Sequence, residues 1–410
     1  MLQKKTFIEI GIIRILVVVL QLLFLKLYTN NTTLYEIGIY LLLITLSYSL
    51  NAFLLVPLDY FQQSKLYELK DEKKSIKSFN HINKTILKIS IIILIIAEIV
   101  NLIIDLVAEN KININNCITI FTIITLSLST YFVVLLRGFI NNLEKRRIAV
   151  YTMLFEGVLK IILFLILNHY FNSNSFIILL SLLISSIITL LLLYSILKKM
   201  DEYKCQDLKK IEYKNIIKFS YPLSIGAVIN WIQIQGYRMI LVPLGLVETV
   251  ATFGTISNIG SSGMNAFSMI FAQLFIPNIY KTNGEYLKTY LKNALILILF
   301  ILIVSFTFSD LIINLLTSES FNKYSSIIIV GVISEGGNFI IGAITVYLTL
   351  HNLNKYTIKV NLIGLTTFVL SFTGLIIADI INVYTVGIPI ITSQILIVIY
   401  LLAVIKKNRV

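Results

Sequence analysis

Twelve long apolar stretches occupy most of this 410-residue chain, at residues 8–27, 36–58, 86–106, 118–137, 148–168, 176–197, 219–241, 248–275, 291–308, 325–350, 359–378 and 385–405. Each is long enough to cross a hydrocarbon core of about 30 Å as a helix, and hydrocarbon leaves the backbone no partner for its polar groups but itself. The expected fold class is therefore an all-α integral membrane protein of about 12 transmembrane helices, with bounds good to about four residues.

The basic residues orient the helices. Of 34 Lys and Arg, only Lys26, Lys111 and Lys323 fall in one set of alternate gaps, while Arg14, Lys160 and Arg238 lie inside spans. All the rest fall in the other set, which the positive-inside rule places in the cytoplasm together with both termini. The formal charge of +13 is then a topology signal and a surface suited to anionic membrane lipids, and no nucleic-acid partner is expected.

With 57% hydrophobic and 13% charged residues, the chain has no sequence left for a sizeable soluble domain. The first apolar stretch has no small-x-small cleavage site after it and reads as a retained helix. Cys117 and Cys205 fall on opposite sides of the expected membrane and cannot pair, and His81, His169 and His351 are scattered. No disulfide, metal site, cofactor or catalytic set is expected. No Walker loop or dinucleotide fingerprint occurs, so the energy source must be an ion gradient, a substrate gradient or a partner.

The longest polar gap near the middle, residues 198–218, separates six spans from six. The expected division is an N-terminal lobe, 1–197, a basic cytoplasmic linker, 198–218, and a C-terminal lobe, 219–410. A faint internal echo supports a parallel repeat: Leu50-Asn51-Ala52-Phe53 resembles Met264-Asn265-Ala266-Phe267, and Gly38 and Gly254 stand early in the same two spans. Such paired bundles normally hold a substrate cavity, in which Asn51 and Asn265 are candidate wall residues. Span eight carries Gly254, Gly260 and Gly263, and span ten carries Gly331, Gly336, Gly337 and Gly342. Either these permit close helix packing or they loosen helices that bend around a cavity. Pro57 stands where it can bend the end of span two.

A charge within a span costs at least about 2.5 kcal/mol, so each one points to a cavity, a partner or an interface. Arg14 in span one and Arg238 in span seven can snorkel or line a cavity. Asn230, Trp231, Gln233 and Gln235 make the stretch NWIQIQGYR read as a cavity wall. Glu156 and Lys160, four apart, can pair on one helix face. Glu98 and Glu335 are expected to carry a proton, bind a cation or neutralise an arginine.

The two six-span halves, the basic linker and the segment beginning FSYPLSIGAVINWIQIQGYR resemble the Wzx-type O-antigen and capsule repeat-unit flippases of the MATE-like superfamily of multidrug, oligosaccharidyl-lipid and polysaccharide exporters. The resemblance is carried by Pro222-Leu223, Trp231, Tyr237-Arg238, Leu244-Gly245 and Phe253-Gly254. It implies a multi-pass protein of the bacterial cytoplasmic membrane. The implied activity is translocation of undecaprenyl-diphosphate-linked oligosaccharide from the inner to the outer leaflet by alternating access. Polysaccharide-assembly proteins are the implied partners, and H+ or Na+ the implied coupling ion. By the same resemblance Arg14 and Arg238 stand in spans that hold cationic substrate-binding residues, whereas Asp59 departs from the pattern. Two other readings stay open. An outer-face O-antigen polymerase would want a larger outer loop than residues 309–324 provide; an ion-coupled drug or metabolite exporter would use Glu98 or Glu335.

Overall fold

The computed structural model describes residues 2–55, 57–59, 61–62, 80–107, 114–200, 213–351, 353 and 355–407. Among them the chain is helical throughout: α1 Leu2–Asn31, α2 Leu34–Leu50, α3 Asn80–Val107, α4 Ile114–Asn142, α5 Arg146–Tyr170, α6 Ser175–Lys198, α7 Tyr213–Leu241, α8 Val247–Lys281, α9 Leu287–Thr307, the short α10 Ser309–Leu316, α11 Ile328–Leu350, α12 Lys355–Ile377 and α13 Gly387–Lys407. Every expected span falls on one of the twelve longer helices. By length and apolarity nine helices of the described residues qualify as membrane-crossing, or ten with the bent α8 counted as one. This is a multi-pass membrane protein. α3 and α7 are outside that set; in α7 the amides and Arg238 dilute an otherwise apolar helix.

The chain divides into two compact units, Met1–Glu36 with Leu42–Val228, and Ile37–Leu41 with Ile229–Val410. Of the expected linker, residues 201–212 lie outside the described residues.

In the first unit α4 and α5 each pack on α6, α1 packs on α5 and α3 on α4. The interior is apolar, with Leu135, Phe139, Ile140 and Leu193 fully buried, while Ile91, Ile95 and Ile99 of α3 remain exposed as a lipid-facing side should. Polar groups clasp α1 to α5 at both ends. At one end Arg147 pairs with Glu9 at 2.7 Å, and the Tyr151 hydroxyl donates to the same carboxylate at 3.0 Å. At the other, Asn168 donates to Asn31 at 3.3 Å and Thr32 bonds Ser173 at 2.8 Å. Glu36 accepts the Ser175 N–H at 2.8 Å, a carboxylate at the start of α6, where unpaired N–H groups and the helix dipole favour negative charge.

α2 leaves α geometry at its end. Asn51–Leu55 forms a π-helical turn, just before Pro57, whose ring cannot coexist with a normal α carbonyl four residues earlier. The expectation for Pro57 is a bend; what the structure shows before it is this π-helical turn.

In the second unit α8 packs along α11, α12 along α13, and α9 and α13 on α11. Glycine decides the first contact. A Cβ at Gly260 would sit on the Ile328 carbonyl, and one at Gly331 on the Ser257 carbonyl, so α8 and α11 cross backbone to backbone. Gly336 and Gly337 are likewise closed in, by Ile298 and Gln394, whereas Gly263 and Gly342 face open space. Gly254 is closed in by Leu41 and Tyr237, so of the two readings of these glycines packing holds for five of the seven. The bend is elsewhere: α8 turns by 44° between Ala272 and Leu274. Pro277 follows inside the helix, and residue 273 is the position whose carbonyl its ring displaces.

Candidate functional site: a charged cavity in the first unit

A cavity of about 440 Å³ opens within the first unit, walled by α1, α2 with its π turn, α4, α5 and α6. Most membrane-protein interiors of this kind are apolar; this one holds Arg137, Glu156, Lys160, Asp59, Asn51 and Gln21 in its wall. Charges in a span are retained where they are paired or reach a polar cavity, and here both conditions are met.

Arg137 is the best held of them. Its Nη2 lies 2.6 Å from Glu156 Oε2 and donates to the Thr152 carbonyl at 2.8 Å, while its Nε donates to the Thr152 hydroxyl at 3.3 Å. The planar fork of guanidinium makes such convergent bonding natural. α5 presents Thr152 and Glu156 one turn apart on the face toward α4, which is why both reach the same arginine. Lys160, one turn further on, stacks its ammonium 5.0 Å from the centre of the Phe24 ring. Among the described residues no ion pair joins it to Glu156. The expected Glu156–Lys160 pair is thus replaced by Glu156–Arg137, because α4 brings a fork-shaped donor closer than the helix's own lysine.

The neutral groups are also placed. Asn51, carried on the π turn, donates to the Thr130 hydroxyl at 2.8 Å. The buried Gln62 donates to the Tyr131 hydroxyl at 3.0 Å and to Asn83 at 3.2 Å. Asp59 is buried on the same wall. Sequence reasoning singled out Asn51, Glu156 and Lys160, which the structure brings together. It missed Arg137, Gln21, Tyr48, Thr130 and Tyr131. Arg137 was assigned to an inner loop. The available signal was the apolar Gly138-Phe139-Ile140 after it, which carries α4 beyond Arg137 to Asn142.

The remaining candidates lie elsewhere. Arg14 is exposed on α1. Arg238 is 4% exposed, its Nε donating to the Tyr237 hydroxyl at 2.9 Å, with the Leu41 carbonyl 3.5 Å from Nη1. It is packed inside the second unit, neither snorkelling nor open. Gln233 is also buried there and donates to the Asn361 carbonyl at 2.9 Å. Trp231 and Gln235 are half-buried, and Asn230 and Asn265 are exposed. The stretch expected to form one cavity wall is thus split between interior and surface. Glu335 of α11 accepts from Asn338 at 3.3 Å, and Asn338 in turn accepts from Gln394 of α13 at 3.2 Å. Glu98 of α3 is half-buried, with one oxygen enclosed.

No family model and no curated protein sequence matches this chain. Solved structures do. The lipid II flippase MurJ, in an inward closed conformation, superposes with a TM-score of 0.70 at 17% identity, over 97% of this chain and 87% of that one. A mutant of the Vibrio cholerae MATE transporter VcmN gives 0.62 at 12% identity, over 99% and 97%. The MATE multidrug transporter DinF-BH gives 0.60 at 17% identity, over 97% and 96%. The fold is MATE-like. At these identities the comparison speaks for architecture, and the chemistry must be read from this chain's own side chains.

Proposed function

We propose that this protein is a flippase that carries undecaprenyl-diphosphate-linked oligosaccharide repeat units from the inner to the outer leaflet of the bacterial cytoplasmic membrane, for O-antigen or capsule assembly. The observation that carries the reading is the first-unit cavity. It is a membrane-embedded pocket in which amides, hydroxyls and paired charges are set among apolar side chains such as Val17, Ile44 and Leu126, and those polar groups suit the hydroxyl-rich surface of a sugar. The fold shared with a lipid II flippase supports the same substrate class. That the solved structures this chain resembles are of transporters and a flippase weighs for transport and against an outer-face polymerase.

In this reading the two lobes, 1–197 and 219–410, joined by the basic linker, rock about the headgroup while the polyprenyl tail stays in the bilayer. No bond is made or broken. A coupling ion, H+ or Na+, would act at Glu335, whose hydrogen-bonded chain through Asn338 to Gln394 joins α11 to α13; Glu335→Gln then lowers gradient-driven transport without unfolding the protein. Polysaccharide-assembly proteins are the proposed partners.

The test is deletion of the gene in its host, followed by a membrane-impermeant glycosidase on intact spheroplasts and opened membranes. Lipid-linked units protected in spheroplasts and digested in opened membranes are the expected result. Units accessible on the outer face would favour a polymerase, and no accumulation would favour an unrelated exporter.

A further inference from the structure

The charges of the first-unit cavity are not evenly satisfied. Arg137 spends three of its five N–H donors on Glu156 and both oxygens of Thr152. The carboxylates that face the cavity are Glu156, held by that arginine, and Asp59, buried in contacts of its own. Lys160 differs from these: its ammonium has three donors, lies against the face of Phe24 and has no carboxylate within ion-pair distance among the described residues. Two cations and two carboxylates make the cavity neutral as a whole, with its positive end at Lys160.

The same wall carries groups suited to a sugar ring. Gln21, Asn51 and Thr130 supply amide and hydroxyl groups, and Tyr48, half open at 51% exposure, supplies a ring face beside a hydroxyl. Asn51 spends one N–H on Thr130, leaving its carbonyl oxygen to accept.

We propose that this cavity takes an acidic sugar of the oligosaccharide, of the uronic acid class, with Lys160 Nζ pairing with its carboxylate. The proposal rests on the flippase reading above and assigns that reading a substrate class. The charge count separates the two anions such a substrate carries. One carboxylate matches the one cavity ammonium that has no carboxylate within ion-pair distance among the described residues. A diphosphate would bring at least two negative charges into a cavity that already holds two carboxylates, while its polyprenyl chain must remain in the bilayer. An ammonium is also a strongly hydrated point charge that follows a single carboxylate without demanding the bidentate geometry of guanidinium.

The full-length protein, reconstituted in proteoliposomes, is given two polyprenyl-diphosphate-linked disaccharides that differ only in a terminal glucuronic acid or glucose, and transbilayer movement is read with an impermeant glycosidase. Wild type should move the glucuronate form about tenfold faster or more, the worth of one charge-assisted hydrogen bond. Lys160→Gln should abolish the preference, bringing the two rates together, and Lys160→Arg should keep it. Equal rates for the two substrates in wild type would overturn the proposal and leave the flippase reading standing. So would equal slowing of both by Lys160→Gln, which would assign the lysine to the shared diphosphate. Movement of neither would overturn the flippase reading and the proposal with it.

Discussion

A charge inside a membrane protein is informative through what it touches. Arg137 and Glu156, with side chains 12% and 24% exposed, form an ion pair that also satisfies a helix carbonyl. Removing one partner leaves the other in a poorly solvated wall, so Arg137→Ala and Glu156→Ala should each cost about 2 kcal/mol, seen as lower melting temperatures in detergent. The double substitution should cost less than the sum of the two, since the second change removes the stranded charge. Arg238 makes a contrasting case. Its Nε–H donates to the Tyr237 hydroxyl at 2.9 Å in a buried site, so Tyr237→Phe should destabilise by about 1–2 kcal/mol. Arg238→Ala should lower folded yield together with transport, whereas Arg14→Ala, on an exposed position of α1, should leave the yield as it is. A thermal-shift series on these six variants, with folded yield and transport read alongside, checks all of this.

At the scale of elements, glycine positions divide by what they face. The α8–α11 crossing leaves no room at Gly260 and Gly331, where an added Cβ meets backbone that cannot rotate away. Gly331→Leu should therefore separate the helices and cost about 3 kcal/mol or more, measured as loss of monodisperse protein. Gly342→Ala, built into open space on the same helix, should be neutral or stabilising by about 0.5–1 kcal/mol from helix propensity alone. The pair is an internal control, since both substitutions lie on α11 and only one points at a neighbour's backbone. Such a distinction is not in the sequence. Seven glycines in two spans announce a close crossing somewhere, but which of them meets the partner depends on helix rotation. The bend in α8 was in principle readable from Pro277, whereas at Pro57 a bend was expected and a π turn is found before it.

For the whole molecule, the distribution of Lys and Arg makes the boldest claim, an orientation with both termini in the cytoplasm. Alkaline phosphatase fused after Ser173, between α5 and α6, should be active in a bacterial host, and fused after Lys199 it should be inactive; the reverse pattern would invert the topology. Helix count, helix bounds and membrane residence were determined by the sequence itself, because hydrocarbon leaves a chain of long apolar runs almost no alternative to helices. The sequence also marked which residues were too polar for lipid. What only the tertiary structure decided was their partners: that Arg137 leaves its assumed loop to bind Glu156, that Lys160 keeps a ring face in place of a carboxylate, and that Arg238 and Gln233 turn inward while Asn230 stays at the surface. The physical reason is the same in each case. Apolarity and charge are properties of single residues and their helical period, whereas a hydrogen bond or an ion pair between α4 and α5 is fixed by how two helices rotate and cross, which neither helix encodes alone.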